Sequence, residues 1–146
     1  IKINLELLKK IDTDIQINFN LNDNKKLYID CDYEQISRSF FNLVKNSIES
    51  IQEKAKKTNN INKIIDIEIK ERRDYIILNI IDNGIGFSDT RVRDLIKPYF
   101  TTKEKGSGLG LSIVNKIIND HNGSIKFINQ IDGAKIQVLL PINYGN

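Results

Sequence analysis

The sequence predicts an α+β fold, a two-layer sandwich in which helices cover one face of a mixed sheet. Three observations lead there. Short stretches alternate apolar and polar residues, as strands do; two longer stretches repeat with the helical period. The two patterns interleave in the order strand–helix–strand–strand–loop–helix–strand–strand, with no repeat and no internal boundary.

Each element has its own signal. Ile15, Ile17, Phe19 and Leu21 alternate with Gln16, Asn18 and Asn20, a half-buried strand for which Leu27–Ile29 is the expected short partner. Asp32, with Gln35 three residues on, resembles a capping box. The helix it opens, about Tyr33–Lys56, carries Ile36, Phe40, Leu43, Val44, Ser47, Ile48 and Ile51 on one stripe. Lys54–Lys63 reads as a polar loop, followed by the alternation of Ile65, Ile67 and Ile69. After a turn at Glu71–Asp74, Tyr75–Ile81 is almost continuously apolar, as expected of a central strand covered on both faces. Asp82–Gly106 is expected to be largely loop. A second helix over Gly108–His121 presents Ile113, Val114, Ile117 and Ile118, and Asn122-Gly123 stops it in left-handed backbone. Ser124–Ile128 and Ala134–Pro141 form a hairpin around Asp132-Gly133. The first ten residues fit strand, helix or linker equally well.

Composition narrows the function classes. A chain of 146 residues, 40% hydrophobic and 28% charged, suits one domain with a proper core. No run is long enough to span a membrane, and no signal-peptide pattern opens the chain. The single cysteine, Cys31, excludes an internal disulfide framework and a thiolate metal cluster, and fits a reducing compartment. A net charge of +3, spread without a stripe, argues against nucleic acid. There is no Met, so residue 1 is not expected to be a native start, and the chain reads as an excised or processed piece. Ile and Asn number 28 and 18, so a single Asn in a motif says little; of the 8 glycines, however, 5 fall between Gly84 and Gly110.

Four clusters carry chemistry. Asn42, Asn46 and Glu49 fall on one side of the first helix, roughly opposite its apolar stripe, and an amide oxygen there can ligate Mg²⁺. Read alone in an Asn-rich chain, this favours a solvated face. Asp82-Asn83-Gly84-Ile85-Gly86 follows an apolar strand, so the carboxylate stands at the edge of a buried pocket and wants a donor, such as an adenine amine. The bland alternative is an Asn-Gly turn. Lys97-Pro98-Tyr99-Phe100-Thr101-Thr102-Lys103, with Lys105, combines aromatics, hydroxyls and cations in the manner of a lid over phosphate, or of an ordinary surface loop. Gly106-Ser107-Gly108-Leu109-Gly110-Leu111 runs into a helix and offers N–H groups to an anion. It is neither a Walker loop nor the dinucleotide fingerprint.

Together, in this order, the clusters resemble the catalytic ATP-binding domain of sensor histidine kinases, in the wider group that includes gyrase, heat-shock protein 90 and MutL ATPases. Asn42–Glu49 looks like the N box, Asp82–Gly86 the first glycine box, Pro98–Lys103 the F box and Gly106–Leu111 the second glycine box. The resemblance runs from about Asp30 to Pro141, and PYFTTKEKGSGLGLSIV is most similar to nitrogen-regulation-type sensor kinases. Ser47, Tyr99 and Ser107 replace a common Ala, Phe and Thr, conserving size or polarity.

The resemblance implies a Bergerat-type fold, Mg²⁺ and ATP as cofactors, and γ-phosphoryl donation to a histidine. It gives catalytic roles to Asn42, Asn46 and Lys103, with Asn46 on Mg²⁺ and Asp82 on the adenine amine. ATP would further contact Glu49, Gly84, Gly86, Thr101, Thr102, Lys105, Gly106, Ser107, Gly108, Leu109, Gly110 and Leu111. Asn42 stands where ATPases of the group place a water-activating Glu; an amide cannot take that proton, so slow hydrolysis is expected. The implied partners are a histidine-containing dimerisation domain of the same protein, to which residues 1–14 are a candidate linker, and a response regulator. Neither nucleic acid nor membrane is an expected contact, and the expected compartment is the cytoplasm. His121 sits in a helix-end turn and is expected to be a solvated cap, not the phosphoacceptor. The rival functions are a non-catalytic nucleotide-gated interaction module and an anti-sigma-type serine kinase.

Overall fold

Asp32 starts the longest helix. In the computed structural model, which describes residues 14–21, 28–87, 92–101 and 106–142, its carboxylate accepts the Gln35 N–H and the Gln35 side-chain amide, each at 3.0 Å. This caps α1 (Tyr33–Lys57), and Lys54, Lys56 and Lys57 in the last turn complement the negative helix end. The expected stripe is buried in full, joined by Ser39.

Five strands form one sheet in the order β1-β2-β3-β5-β4, with β1 (Gln16–Leu21), β2 (Ile64–Arg72), β3 (Tyr75–Asp82), β4 (Ser124–Asn129) and β5 (Ala134–Pro141). The expected partnership of β1 with Leu27–Ile29 is wrong: Tyr28 and Ile29 are not strand, and β1 pairs in parallel with β2. A parallel neighbour needs a long crossover, and α1 supplies it. All other pairs are antiparallel.

Register sorts the two faces. Ile65, Ile67, Ile80, Ile136, Val138 and Leu140 are buried with the α1 stripe in one core, each contributing about 1.5–3 kcal/mol. β3 is central, as expected, but helices do not cover its other face. There Asn18 donates to Asp66 at 2.7 Å, Asn79 to Glu68 at 3.3 Å, and Gln137 to Asn79 at 3.0 Å. The apolar run of β3 reflects strand neighbours on both edges, with a polar ladder around its outward residues.

After a 3₁₀ turn at Val92–Ile96 comes α2 (Gly110–Asp120), two residues later than the expected start, because Gly108 has φ +69° and cannot be helical. Asn122 (φ +55°) ends it, and the Gly123 N–H reaches the Ile118 carbonyl at 2.9 Å. His121 is the C-cap of α2, as expected, but it is not fully solvated. It is half-buried; Nε2 accepts the Asp32 N–H at 3.0 Å, while Nδ1 faces the Ile117 carbonyl at 2.7 Å. One imidazole thus joins the start of α1 to the end of α2. Among the described residues, no helix is long and apolar enough to cross a membrane.

Candidate functional site

β3 ends in a carboxylate the core has enclosed: Asp82 is 3% exposed. Burial raises its pKa above the ordinary Asp value, because the charged form loses water. The Gly84 N–H (2.9 Å), the Ser47 hydroxyl, the Ala134 N–H and the charge of Lys54 oppose that rise. The Ser47 hydroxyl steadies the charge from outside full hydrogen-bond geometry.

The chain then turns tightly over α1. A Cβ on Gly84 would meet Ser50 Oγ and stand 2.7 Å from the Ser50 carbonyl carbon, so only glycine permits this approach. Ser50 in turn accepts the Ile85 N–H at 3.1 Å. Asn83 Oδ1 accepts the Ile64 N–H at 3.0 Å, and its amide donates to the Asn62 carbonyl. Phe87 is held at both main-chain atoms by one side chain: Asn129 Oδ1 accepts its N–H (2.7 Å) and Asn129 Nδ2 donates to its carbonyl (3.0 Å). Its ring packs edge-on against Phe127 at 5.6 Å between centroids. Lys54 donates to the Asn83 carbonyl at 2.8 Å and pairs with Asp132.

The α1 stretch that receives this turn also carries Asn42, Asn46 and Glu49. All three are half-buried, whereas Arg38, Phe41 and Lys45 are exposed. The row is therefore a shoulder between core and solvent, not the fully solvated face that its position opposite the apolar stripe allows. Asn46 and Glu49 each stand one position before a serine, Ser47 and Ser50, that α1 turns toward the Asp82 turn.

The lid side is assembled around Gly108. A Cβ there would stand 2.8 Å from the Phe100 nitrogen and from the Tyr99 Cα, so the two motifs touch through main chain. Thr101, Gly106 and Ser107 are exposed; Leu109, Gly110 and Leu111 are half-buried. The α2 start has no acidic residue in its first turn and no side-chain cap, and a Cβ on Gly110 would meet nothing within 4 Å. This is an open, positive helix end of the kind that receives phosphate.

Residues 31–144 match the family described as histidine kinase-, DNA gyrase B-, and HSP90-like ATPase. The chain belongs to this family. Its relatives are sensor kinases. Sporulation kinase C of Bacillus subtilis is 28% identical over 94% of this chain and 32% of its own length. Sensor histidine kinase ZraS of Salmonella typhimurium is 33% identical over 88% of this chain and 26% of its own. The chain thus spans about a quarter to a third of the curated relatives it matches. The solved catalytic domain of histidine kinase ThkA superposes with a TM-score of 0.76 at 29% identity, covering 94% of this chain and 84% of that one. ThkA has also been solved in complex with response regulator protein TrrA. The resemblance to the catalytic ATP-binding domain of sensor histidine kinases is therefore shown, as is the two-layer fold.

Against that family, this histidine-kinase-type domain sets α1, through Ser47 and Ser50, against the Asp82–Phe87 turn, and the Tyr99–Phe100 main chain against Gly108. Thr102, Lys103 and Lys105 lie outside the described residues. Lys54, Asn129 and Asp132 were missed by sequence reasoning. ATP fits what is present: a buried acceptor carboxylate at one end and an open helix N-terminus at the other. Mg²⁺ fits as well, with Asn46 and Glu49 as hard oxygen donors. Among the described residues no three His, Cys, Asp or Glu converge, so phosphates and water would complete the shell, the usual arrangement for this ion.

Proposed function

We propose that this domain binds Mg–ATP and donates the γ-phosphoryl group to a histidine on a partner domain of the same sensor kinase. The observation that carries the reading is Asp82: a carboxylate enclosed at a strand end, held by Gly84 and packed on the helix that bears Asn46. A charge so enclosed needs a donor, and an adenine amine is one. Asn46, with Glu49 beside it, would hold Mg²⁺, which supplies charge neutralisation on the phosphates. Gly108–Leu111 would receive phosphate oxygens on main-chain N–H groups, with Lys103 or Lys105 as the lid cation. The chain contributes positioning and electrostatics, the two terms that dominate phosphoryl transfer.

Asn42 has no carboxylate to activate water, so phosphate is kept for transfer. An Asn42→Glu variant is expected to hydrolyse ATP faster. His121 is not the acceptor, since both ring nitrogens engage main chain. The downstream partner is a response regulator, as TrrA is for ThkA.

Calorimetric titration with a non-hydrolysable ATP analogue, with and without Mg²⁺, tests the reading. Wild type is expected to bind in the micromolar range, roughly 8 kcal/mol, and Asp82→Asn to lose most of that. A folded wild type that ignores adenine nucleotides with Mg²⁺ present overturns it.

A further inference from the structure

The β4–β5 tip and the last turns of α1 converge on the Asp82–Phe87 turn from opposite sides. Lys54 is the residue where they meet. Its ammonium donates to the Asn83 carbonyl at 2.8 Å and pairs with Asp132 across 78 positions of sequence. Only 22% of its side chain is exposed, against 67% for Asp132, so the cation is the enclosed partner. On the other flank, Asn129 holds both main-chain atoms of Phe87. Gly133 lies so close that an added Cβ would stand 2.7 Å from the Asn83 Cα. The turn is therefore clamped at each end by groups that belong to neither glycine motif.

We propose that Lys54 is a positioning residue for adenine recognition: by gripping the Asn83 carbonyl and Asp132 together, it fixes the turn that aims Asp82. The inference rests on the nucleotide reading above and deepens it, adding a cation that contacts no part of ATP. The Gly84 N–H, the Ser47 hydroxyl and the Ala134 N–H do most to keep Asp82 ionised, and Lys54 adds a charge to these neutral donors. Among the described residues, the charged group bearing on it is Lys54 of α1, with Asp132 behind it on the β4–β5 tip; α1 otherwise offers the neutral Ser47 hydroxyl, and β5 and the turn itself the N–H groups of Ala134 and Gly84. An adenine amine bonds more strongly to the ionised acceptor, whereas a guanine carbonyl requires a donor, which only the protonated carboxyl offers.

The test is equilibrium titration of the 146-residue chain with non-hydrolysable Mg–ATP and Mg–GTP analogues across pH. It compares wild type, Lys54→Met, Lys54→Arg and Asp132→Asn, each checked by thermal melting. Lys54→Met is expected to weaken ATP-analogue binding about tenfold, the effect of losing one hydrogen bond from a charged group. It should also narrow the preference for ATP over GTP and move the acid limb of the binding profile to higher pH. Lys54→Arg should restore all three. Asp132→Asn, which frees the tip but keeps the cation, should weaken binding with little movement of the acid limb, and reports even if Lys54→Met fails to fold. A merely structural lysine would lower melting temperature and affinity evenly at every pH. That result, or unchanged affinity and profile in Lys54→Met, overturns the assignment while leaving nucleotide binding intact. A wild type that binds neither analogue overturns both.

Discussion

The two halves of the site are built on different principles. The Asp82–Phe87 turn is tied to three other segments, namely β2, α1 and β4, by bonds that span 19 to 42 positions. On the lid side Lys97 pairs with Asp94, the Phe100 N–H reaches the Lys97 carbonyl at 3.2 Å, and the Leu109 N–H reaches Ser107 Oγ at 3.3 Å, bonds of two or three positions, while Leu95, Ile96 and Leu111 pack against the core. A base-reading surface has to hold its shape before the ligand arrives, because orientation gained in advance is not lost on binding. A phosphate cover has to admit a ligand, and local bonds leave it that freedom. Glycine serves close approach in both halves, Gly84 against α1 and Gly108 against Tyr99–Phe100, while Gly110 stands in open space.

That contrast makes unequal demands on equivalent substitutions. Gly84→Ala drives a methyl into the α1 backbone, where neither side can yield. It is expected to cost about 2–3 kcal/mol of stability and to abolish binding of an ATP analogue, read by denaturant unfolding and calorimetry. Gly108→Ala meets a comparable clash and a left-handed φ, but the lid can move away. Its stability cost should be nearer 1–2 kcal/mol, with the larger loss in affinity. Equal stability costs would show that the lid is as constrained as the turn.

Asp82 separates stability from binding by pH. Its folded pKa is raised, so the native state holds the proton more tightly than the unfolded chain does. Wild-type stability relative to Asp82→Asn is greatest below the ordinary Asp range and declines as pH rises through the raised value. Binding of the ATP analogue should move the other way, strengthening over the same window. Melting curves and titrations on one pH series read both slopes, and parallel slopes would remove the carboxylate from recognition. The smallest effect belongs to Gly110→Ala. With open space around the added methyl, the free domain should gain up to about 1 kcal/mol from helix propensity. A fall in affinity beside that gain would mark the open space as the place of the phosphates; unchanged affinity would place them elsewhere.

Much of this was legible in the sequence because it is local. The Asp32–Gln35 cap, the α1 stripe, the left-handed stop at Asn122 and the β4–β5 hairpin follow from spacings of a few residues. The glycine clusters also announce themselves, since glycine is scarce in this chain. What stayed hidden is what distant segments decide together. No pattern near Leu27–Ile29 reveals that β1 pairs with β2 beyond a helix of 25 residues. Lys54 looks like one more lysine in a polar loop until Asp132 is beside it. Asn129 is lost among 18 asparagines, although its two bonds to Phe87 do what a strand partner would do.

The clamp on the turn also sets an order of assembly. Asn129, Asp132 and Gly133 come late in the chain, while the turn they hold comes 42 or more positions earlier. During synthesis α1 and the β2–β3 hairpin can form while the reading surface between them lacks its outer wall. Such long closures are slow to make, so the turn is completed only once the β4–β5 hairpin has docked. On the proposed reading, a nascent domain of this design engages ATP only after that hairpin is in place.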